Sequence, residues 1–439
     1  MHYSQLIAAM LVLCVASTQA LAQVSLPVQV PGVPPVNLPA GLDQAVSGVT
    51  ERLDPQRLAN ARSLRIRELL REHRDVIEAD PKGAPMLRSE LLVFSPSAAI
   101  LDQARNEGFA VLRERSLEGL DAKIVVLRAP EGMSTRRALK RLRALDPGGS
   151  YDFNHVYTDS GTIDPAGQVD ETAAINAPMR LKVGARIGLI DGGVDDRHPV
   201  FSAASIKLHG CAGKRVVSSH GTAVASLIVG RFEKFHGVAP GAELFAADVY
   251  CGEPTGGAVD AVADAFAWLA RERVPIINVS LVGPPNATLE NVIRIVAARG
   301  HIVVAAVGND GPSARPLYPA AYPGVIGVTA VDSRQHALVE AGRGSQVDFA
   351  APGADIVAAA SAPTYAAVRG TSFAAPIVAG LLLAELQEPD KAAADRAVTT
   401  LARQALDLGS RGRDSTYGCG LVGDALRIEL AATALLENK

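Results

Sequence analysis

Four residues in this chain are of types that do acyl-transfer chemistry, and each sits where such chemistry needs it. Asp191 closes the apolar run RIGLI (186–190) and is followed by Gly192-Gly193. His220 opens HGTAVASLIVG, a small, apolar helical stretch, so its imidazole can point into a cleft and shuttle protons near neutral pH. Ser372 lies in GTSFAAPIVAG, where Gly370 permits a tight turn and Pro376 is expected near the first turn of an apolar helix. A helix N-terminus offers free N–H groups and a partial positive charge to a developing oxyanion. Asn309 follows the run HIVVAAVG and has a side-chain amide able to donate to the same oxyanion. Taken singly, these are equally a turn Asp, a core His, a Ser N-cap and a turn Asn. Taken together, they place a nucleophile, a base, a carboxylate and an amide donor at the ends of elements of one sheet.

That sheet is legible as short apolar runs without polar alternation: 186–190, ELFAADV (243–249), PIINVSL (275–281), HIVVAAV (301–307) and VIGVTAV (325–331). Such runs suit strands buried on both faces of a parallel sheet. Helical stretches at 257–272, 287–299 and 373–387 alternate with them, which predicts a doubly wound, mostly parallel α/β domain over 175–439. Sheets of this kind carry their sites at the carboxyl ends of the strands.

The earlier part of the chain holds no comparable cluster. Residues 1–22 read as a signal peptide, with an apolar run too short to span a bilayer and Ala20-Leu21-Ala22 as a cleavage pattern. No later stretch is apolar enough for a membrane span, so the expected location is secreted or periplasmic. Residues 23–90 read as a Pro-rich linker followed by an amphipathic helix over 55–80. Over 91–157, strand (LLVFS), helix, strand (KIVVL) and basic helix predict a small α+β domain. Residues 158–174 are polar and broken by Gly and Pro, which marks a domain boundary.

The net charge of −3, from 43 basic and 46 acidic residues, gives no footprint for nucleic acid. It is unevenly spread: residues 23–150 carry about +3 and residues 151–439 about −6, so the two parts should attract. Beyond the leader there are three cysteines, Cys211, Cys251 and Cys419, none at metal-ligand spacing. An odd number leaves at least one free thiol. Cys211 and Cys251 both fall near the functional edge of the sheet and are the expected pair.

The motifs IGLIDGGVDDRHPVF (187–201), HGTAVA (220–225), NVSLVGP (278–284), AAVGNDG (305–311) and GTSFAAP (370–376), in this order, resemble those of the subtilisin-like serine peptidases. The resemblance implies Ser372 as nucleophile, His220 as general base and then acid, Asp191 as its orienting carboxylate, and Asn309 in the oxyanion hole. It also implies that NVSLVGP pairs with extended protein or peptide substrate. Ser280, Leu281, Val282, Gly283, Ala306 and Gly308 would line the cleft, and Leu317 would shorten the first pocket toward small or medium apolar residues. The small domain resembles the family's ferredoxin-like prosegment, a folding assistant and inhibitor, to be cut off between about 155 and 172. A monomer without cofactor or metal is expected. Val200 and RFEKF (231–235) stand where relatives bind calcium tightly and offer it few oxygens. The family's Ser or Thr after the catalytic Asp is here Gly192. Two other readings are an inactive peptidase fold serving as a binding module and an α/β-hydrolase esterase. The first requires loss of one of the four residues, and the second requires G-x-S-x-G with a different residue order.

Overall fold

The computed structural model describes residues 55–169, 181–360 and 364–427, so the leader and most of the Pro-rich segment lie outside the described residues. Helix α1 (Pro55–Glu72) stops well short of the expected residue 80. Residues 73–76 turn the chain, with Val76 and Ile77 both donating to the His73 carbonyl, and strand β1 (Ile77–Ala79) follows.

The small domain runs β2 (Pro85–Phe94), α2 (Ala98–Asn106), β3 (Ala110–Leu117), β4 (Ala122–Arg128), α3 (Thr135–Leu145) and β5 (Ser150–Asp159). The antiparallel sheet has the order β5-β2-β4-β3, with β1 added beside β2. The apolar runs of β2 and β4 are explained by burial on both faces. Leu91, Val93, Val125 and Leu127 pack with Leu101, Leu139 and Leu142 of the domain's own helices. Leu92, Ile124 and Val126 point the other way, into a cluster with Phe245, Phe266 and Trp268 of the larger domain.

Strand β6 (Thr162–Val169) leads on to the larger domain. There the strands are β7 (Arg186–Asp191), β8 (Ser205–Gly210), a short hairpin β9 (Arg231–Phe232) and β10 (Phe235–His236), β11 (Glu243–Asp248), β12 (Gly257–Ala258), β13 (Ile276–Val279), β14 (Leu281–Val282), β15 (Ile302–Ala306), β16 (Val325–Val331), β17 (Phe349–Pro352), β18 (Ile356–Ala359) and β19 (Tyr365–Arg369). A seven-stranded sheet, all of its pairings parallel, has the order β17-β16-β15-β13-β7-β11-β8. One face is covered by α4 (Ser219–Val229), α7 (Thr371–Glu385) and α8 (Lys391–Gln404). The other face is covered by α5 (Val259–Arg271) and α6 (Ala287–Ala298).

Two parts of the expected boundary are strands. Residues 158–159 complete β5, and β6 pairs antiparallel with β19 in a three-stranded sheet β18-β19-β6. Among the described residues, no helix is long and apolar enough to cross a membrane. Cys211 and Cys251 form a disulfide, and Cys419 is free.

The two domains meet through charge as well as apolar packing, in a pattern more mixed than net charge suggested. Asp260, in the first turn of α5, is almost wholly buried and receives Arg113 Nε at 2.7 Å and Arg115 Nε at 2.9 Å. Asn154 Nδ2 donates to its other oxygen at 2.9 Å. Burial opposes the charge of Asp260, yet the Arg113 bond and both guanidinium charges lower its pKa to about 2. Elsewhere the signs reverse: Arg271 faces Glu118 at 3.3 Å, and Arg299 faces Asp121 at 2.5 Å.

Candidate active site

The four residues do converge, each delivered by the end of one element. Asp191 is the last residue of β7 and is fully buried. His220 sits in the first turn of α4, whose N-cap is Ser218. The imidazole Nδ1 lies 2.9 Å from Asp191 Oδ1 and 3.0 Å from Oδ2. Gly192 N–H donates to Asp191 Oδ1 at 2.7 Å, holding the carboxylate from behind. Burial works against a charged His220, but the adjoining Asp191 outweighs it and raises the imidazole pKa above its ordinary value. The other ring nitrogen, Nε2, is buried and makes no hydrogen bond among the described residues.

Gly192 has a steric reason. A Cβ built there would lie 2.7 Å from both Cβ and Oγ of Ser218. The N-cap serine therefore fills the space that a side chain after Asp191 would need. The serine pair before His220 was the available signal for this cap.

Ser372 is fully buried in the first turn of α7, behind Gly370 at φ +140°. Pro376 lies one turn later than expected, inside the helix, and this has a local consequence. A proline cannot donate to the carbonyl four residues earlier, which here is that of Ser372. The freed oxygen instead accepts the Ser280 hydroxyl at 2.9 Å. Ser280, itself fully buried, also accepts from Asn278 Nδ2 at 2.9 Å. Its side chain thus ties the site together rather than facing the cleft.

Asn309 accepts the Thr371 N–H through Oδ1 at 3.1 Å, which fixes which end of the amide faces the cleft. A Cβ built on Gly370 would lie 2.7 Å from Asn309 Nδ2, 3.0 Å from Gly161 Cα and 3.2 Å from the Ser160 carbonyl oxygen. Asn309's donor, the chain at 160–161 and the start of the serine helix therefore surround one point.

The cleft is filled by the protein's own chain. Val156 and Tyr157 of β5 pair with Ala258 and Gly257 on one side. Thr158 and Asp159 pair with Val282 and Leu281 on the other. Ser160 Oγ lies 2.7 Å from Ser372 Oγ, which also contacts the Ser280 carbonyl at 3.3 Å. Ser160 and Gly161 are the site residues that sequence reasoning did not single out. The remaining candidates separate by role. Leu281 and Val282 pair through their backbones, whereas Gly283 pairs with Tyr318. Gly308 N–H donates to Thr371 Oγ1 at 3.1 Å, and a Cβ on Gly308 would lie 2.5 Å from Leu317 Cδ1 and 3.6 Å from Val282 Cγ1. Leu317 thus lies against Gly308. Ala306 is packed in the core with the residues of α7 instead of lining the cleft. Asp310, next to Asn309, is paired with Arg62 of α1 at 3.2 Å.

The Subtilase family model matches residues 182–420, more than half of the chain. This chain belongs to the subtilase family. Among its relatives, Subtilisin E from Bacillus subtilis (strain 168) is 34% identical over 260 residues, covering 56% of this chain and 66% of that protein. The chain thus spans just under two thirds of that relative's length. Subtilisin BL from Lederbergia lenta is 33% identical over 245 residues, covering 54% of this subtilase and 88% of its relative. Fervidolysin from Fervidobacterium pennivorans, a keratinolytic enzyme related to subtilisin, shares the fold with TM-score 0.64 at 22% identity, over 78% of this chain and 61% of its own. The prenylagaramide maturation protease PagA matches with TM-score 0.50 at 27% identity, over 56% of this subtilase and 94% of its own chain.

Proposed function

We propose that this subtilase is an exported serine endopeptidase, made as a precursor whose prosegment folds, inhibits and is then cut off by the enzyme itself. The observation that carries this reading is the hydrogen-bonded Asp191–His220 pair beside Ser372, with residues 156–161 of the same chain lying across the nucleophile. In this reading Ser372 Oγ turns from Ser160 toward His220 Nε2, gives up its proton and attacks a substrate carbonyl. His220 passes that proton to the leaving amine, and a water molecule then releases the acyl group. Asp191 holds the imidazole by Nδ1 and stabilises its charged form. Asn309 Nδ2 and the Ser372 N–H stabilise the oxyanion.

The small domain, with its βαββαβ order, acts as a ferredoxin-like prosegment. A large parallel sheet folds slowly because its contacts are non-local, so a partner that docks on α5 and α6 has a purpose. Tethering raises the effective concentration of the cleft segment, to the millimolar range for a short flexible linker. The working enzyme is a monomer acting on protein or peptide substrates in the periplasm or outside the cell.

The test is Ser372→Ala, expressed beside the wild type. The variant should accumulate as an uncut exported chain, fail to label with a fluorophosphonate probe and leave casein intact. In subtilisin, losing the nucleophile lowers turnover about a millionfold. Casein cleavage by Ser372→Ala near the wild-type rate would refute the assignment.

A further inference from the structure

We infer that the bond cut in this chain is Ser160–Gly161, and that the cleft selects tyrosine at the fourth position before a cut bond and glycine directly after it. The inference rests on the peptidase reading above and specifies its substrate.

Register fixes the bond. Pairing with β14 ends at Asp159, and pairing with β19 begins at Thr162 opposite Arg369. Only Ser160 and Gly161 pass the nucleophile between these strands. The Ser160 carbonyl oxygen and Gly161 Cα share their surroundings with Asn309 Nδ2, the oxyanion donor, while the Ser160 hydroxyl touches Ser372. The step balances with water as the co-reactant. Ser372 Oγ bonds to the Ser160 carbonyl carbon while its proton moves to His220. The C–N bond to Gly161 breaks as His220 protonates that nitrogen. Water then hydrolyses the ester and restores the hydroxyl.

Glycine is required after the cut by space. A Cβ on Gly161 would lie 2.5 Å from Phe373 Cε2, 2.9 Å from Cζ and 3.3 Å from His220 Nε2. Phe373 is fully buried, so its ring would have to shift within packed surroundings to admit a side chain. A side chain there meets both the wall and the base.

Tyrosine is read by shape and by its polar tip. Tyr157 is fully buried, and its ring lies 2.7 Å from where a Cβ on Gly283 would be. Glycine at 283 is what makes room for the ring. The hydroxyl donates to the Pro284 carbonyl at 2.5 Å. Phenylalanine would fill the same space and leave that carbonyl without its donor, an arrangement that discriminates more strongly than size alone. Thr158 is partly exposed and Asp159 exposed, so the third and second positions before the cut carry little selection.

Intact mass and N-terminal sequencing of the processed wild-type chain should give a new terminus at Gly161. Gly161→Ala and Tyr157→Phe in the full exported chain should each slow that cut by about tenfold or more. An arm that needs no variant uses the processed enzyme and peptides containing Tyr-Thr-Asp-Ser-Gly or Phe-Thr-Asp-Ser-Gly. The tyrosine peptide should have a kcat/KM about tenfold higher. A wild-type terminus elsewhere with Ser372→Ala uncut overturns the inference and leaves the peptidase reading standing, as do equal rates for the two peptides. A wild-type chain that stays whole overturns the placement of the bond. Cutting of purified Ser372→Ala at Ser160–Gly161 overturns the peptidase reading instead.

Discussion

The two flanks of the nucleophile grip the chain unequally. Before it, β5 lies between β12 and β14, with Val156 and Tyr157 buried and the whole small domain behind them. After it, β6 pairs, among the described residues, with β19 alone, across a bulge, and begins at an exposed Thr162. Under the proposed reading, hydrolysis frees a strand paired along one edge on the amine side and leaves one paired along both edges on the acyl side. The precursor is therefore built to keep its first product, and cutting and activation become separate events.

The largest expected effect falls on the cut itself. Asn309→Ala removes the side-chain oxyanion donor and should slow self-processing about 100- to 1000-fold. Time courses of precursor loss on gels would measure this; an unchanged rate would place the oxyanion donor elsewhere. It should not change how tightly the cut prosegment stays bound, which is the asymmetry's other half.

That half depends on Asp260. Asp260→Asn leaves Arg113 and Arg115 without their shared buried anion and should weaken retention of the cut prosegment by about 30-fold. Co-purification and inhibition by added prosegment would show it. The pKa of Asp260 is depressed, so its contribution is present above the ordinary 3.8 and is lost only as pH falls through about 2. Mild acid should therefore not release the prosegment through this network. Dissociation at pH about 5 that Asp260→Asn abolishes would contradict it.

The smallest effect concerns pH and cutting. His220 must be neutral to take the Ser372 proton, and Asp191 raises its pKa above the ordinary value. Self-processing should therefore keep accelerating into the alkaline range, by several-fold beyond the plateau expected of an unperturbed histidine near about 6.5. A plateau at neutral pH would mean that Asp191 does not stabilise the imidazolium in the precursor.

How much of this was legible depended on how local each signal is. The central strands were readable because burial on both faces leaves an unbroken apolar run, as in β7 and β15. The site residues were readable because each closes or opens such an element. Strand β3 was not: AVLRERSL carries Arg113 and Arg115 toward Asp260, with a bulge between Val111 and Arg113, and so shows neither clean alternation nor an apolar run. Strand β6 looked like a linker because its partner β19 lies far away in sequence. Ser160 and Gly161 carry no local mark. Their place follows only from the pairing of β5 and β6 on either side of them. The charge asymmetry was real in sum, but Glu118 and Asp121 contribute pairs of the opposite sense.

The proline inside α7 has a mechanical consequence. The nucleophile's carbonyl, released from its own helix, is fastened by the Ser280 hydroxyl, and Ser280 directly precedes the two residues that pair with the cleft strand. Grip and blade are thus joined: whatever chain lies along Leu281 and Val282 is registered against Ser372 through the buried Ser280, whose hold on the helix does not depend on which substrate is held.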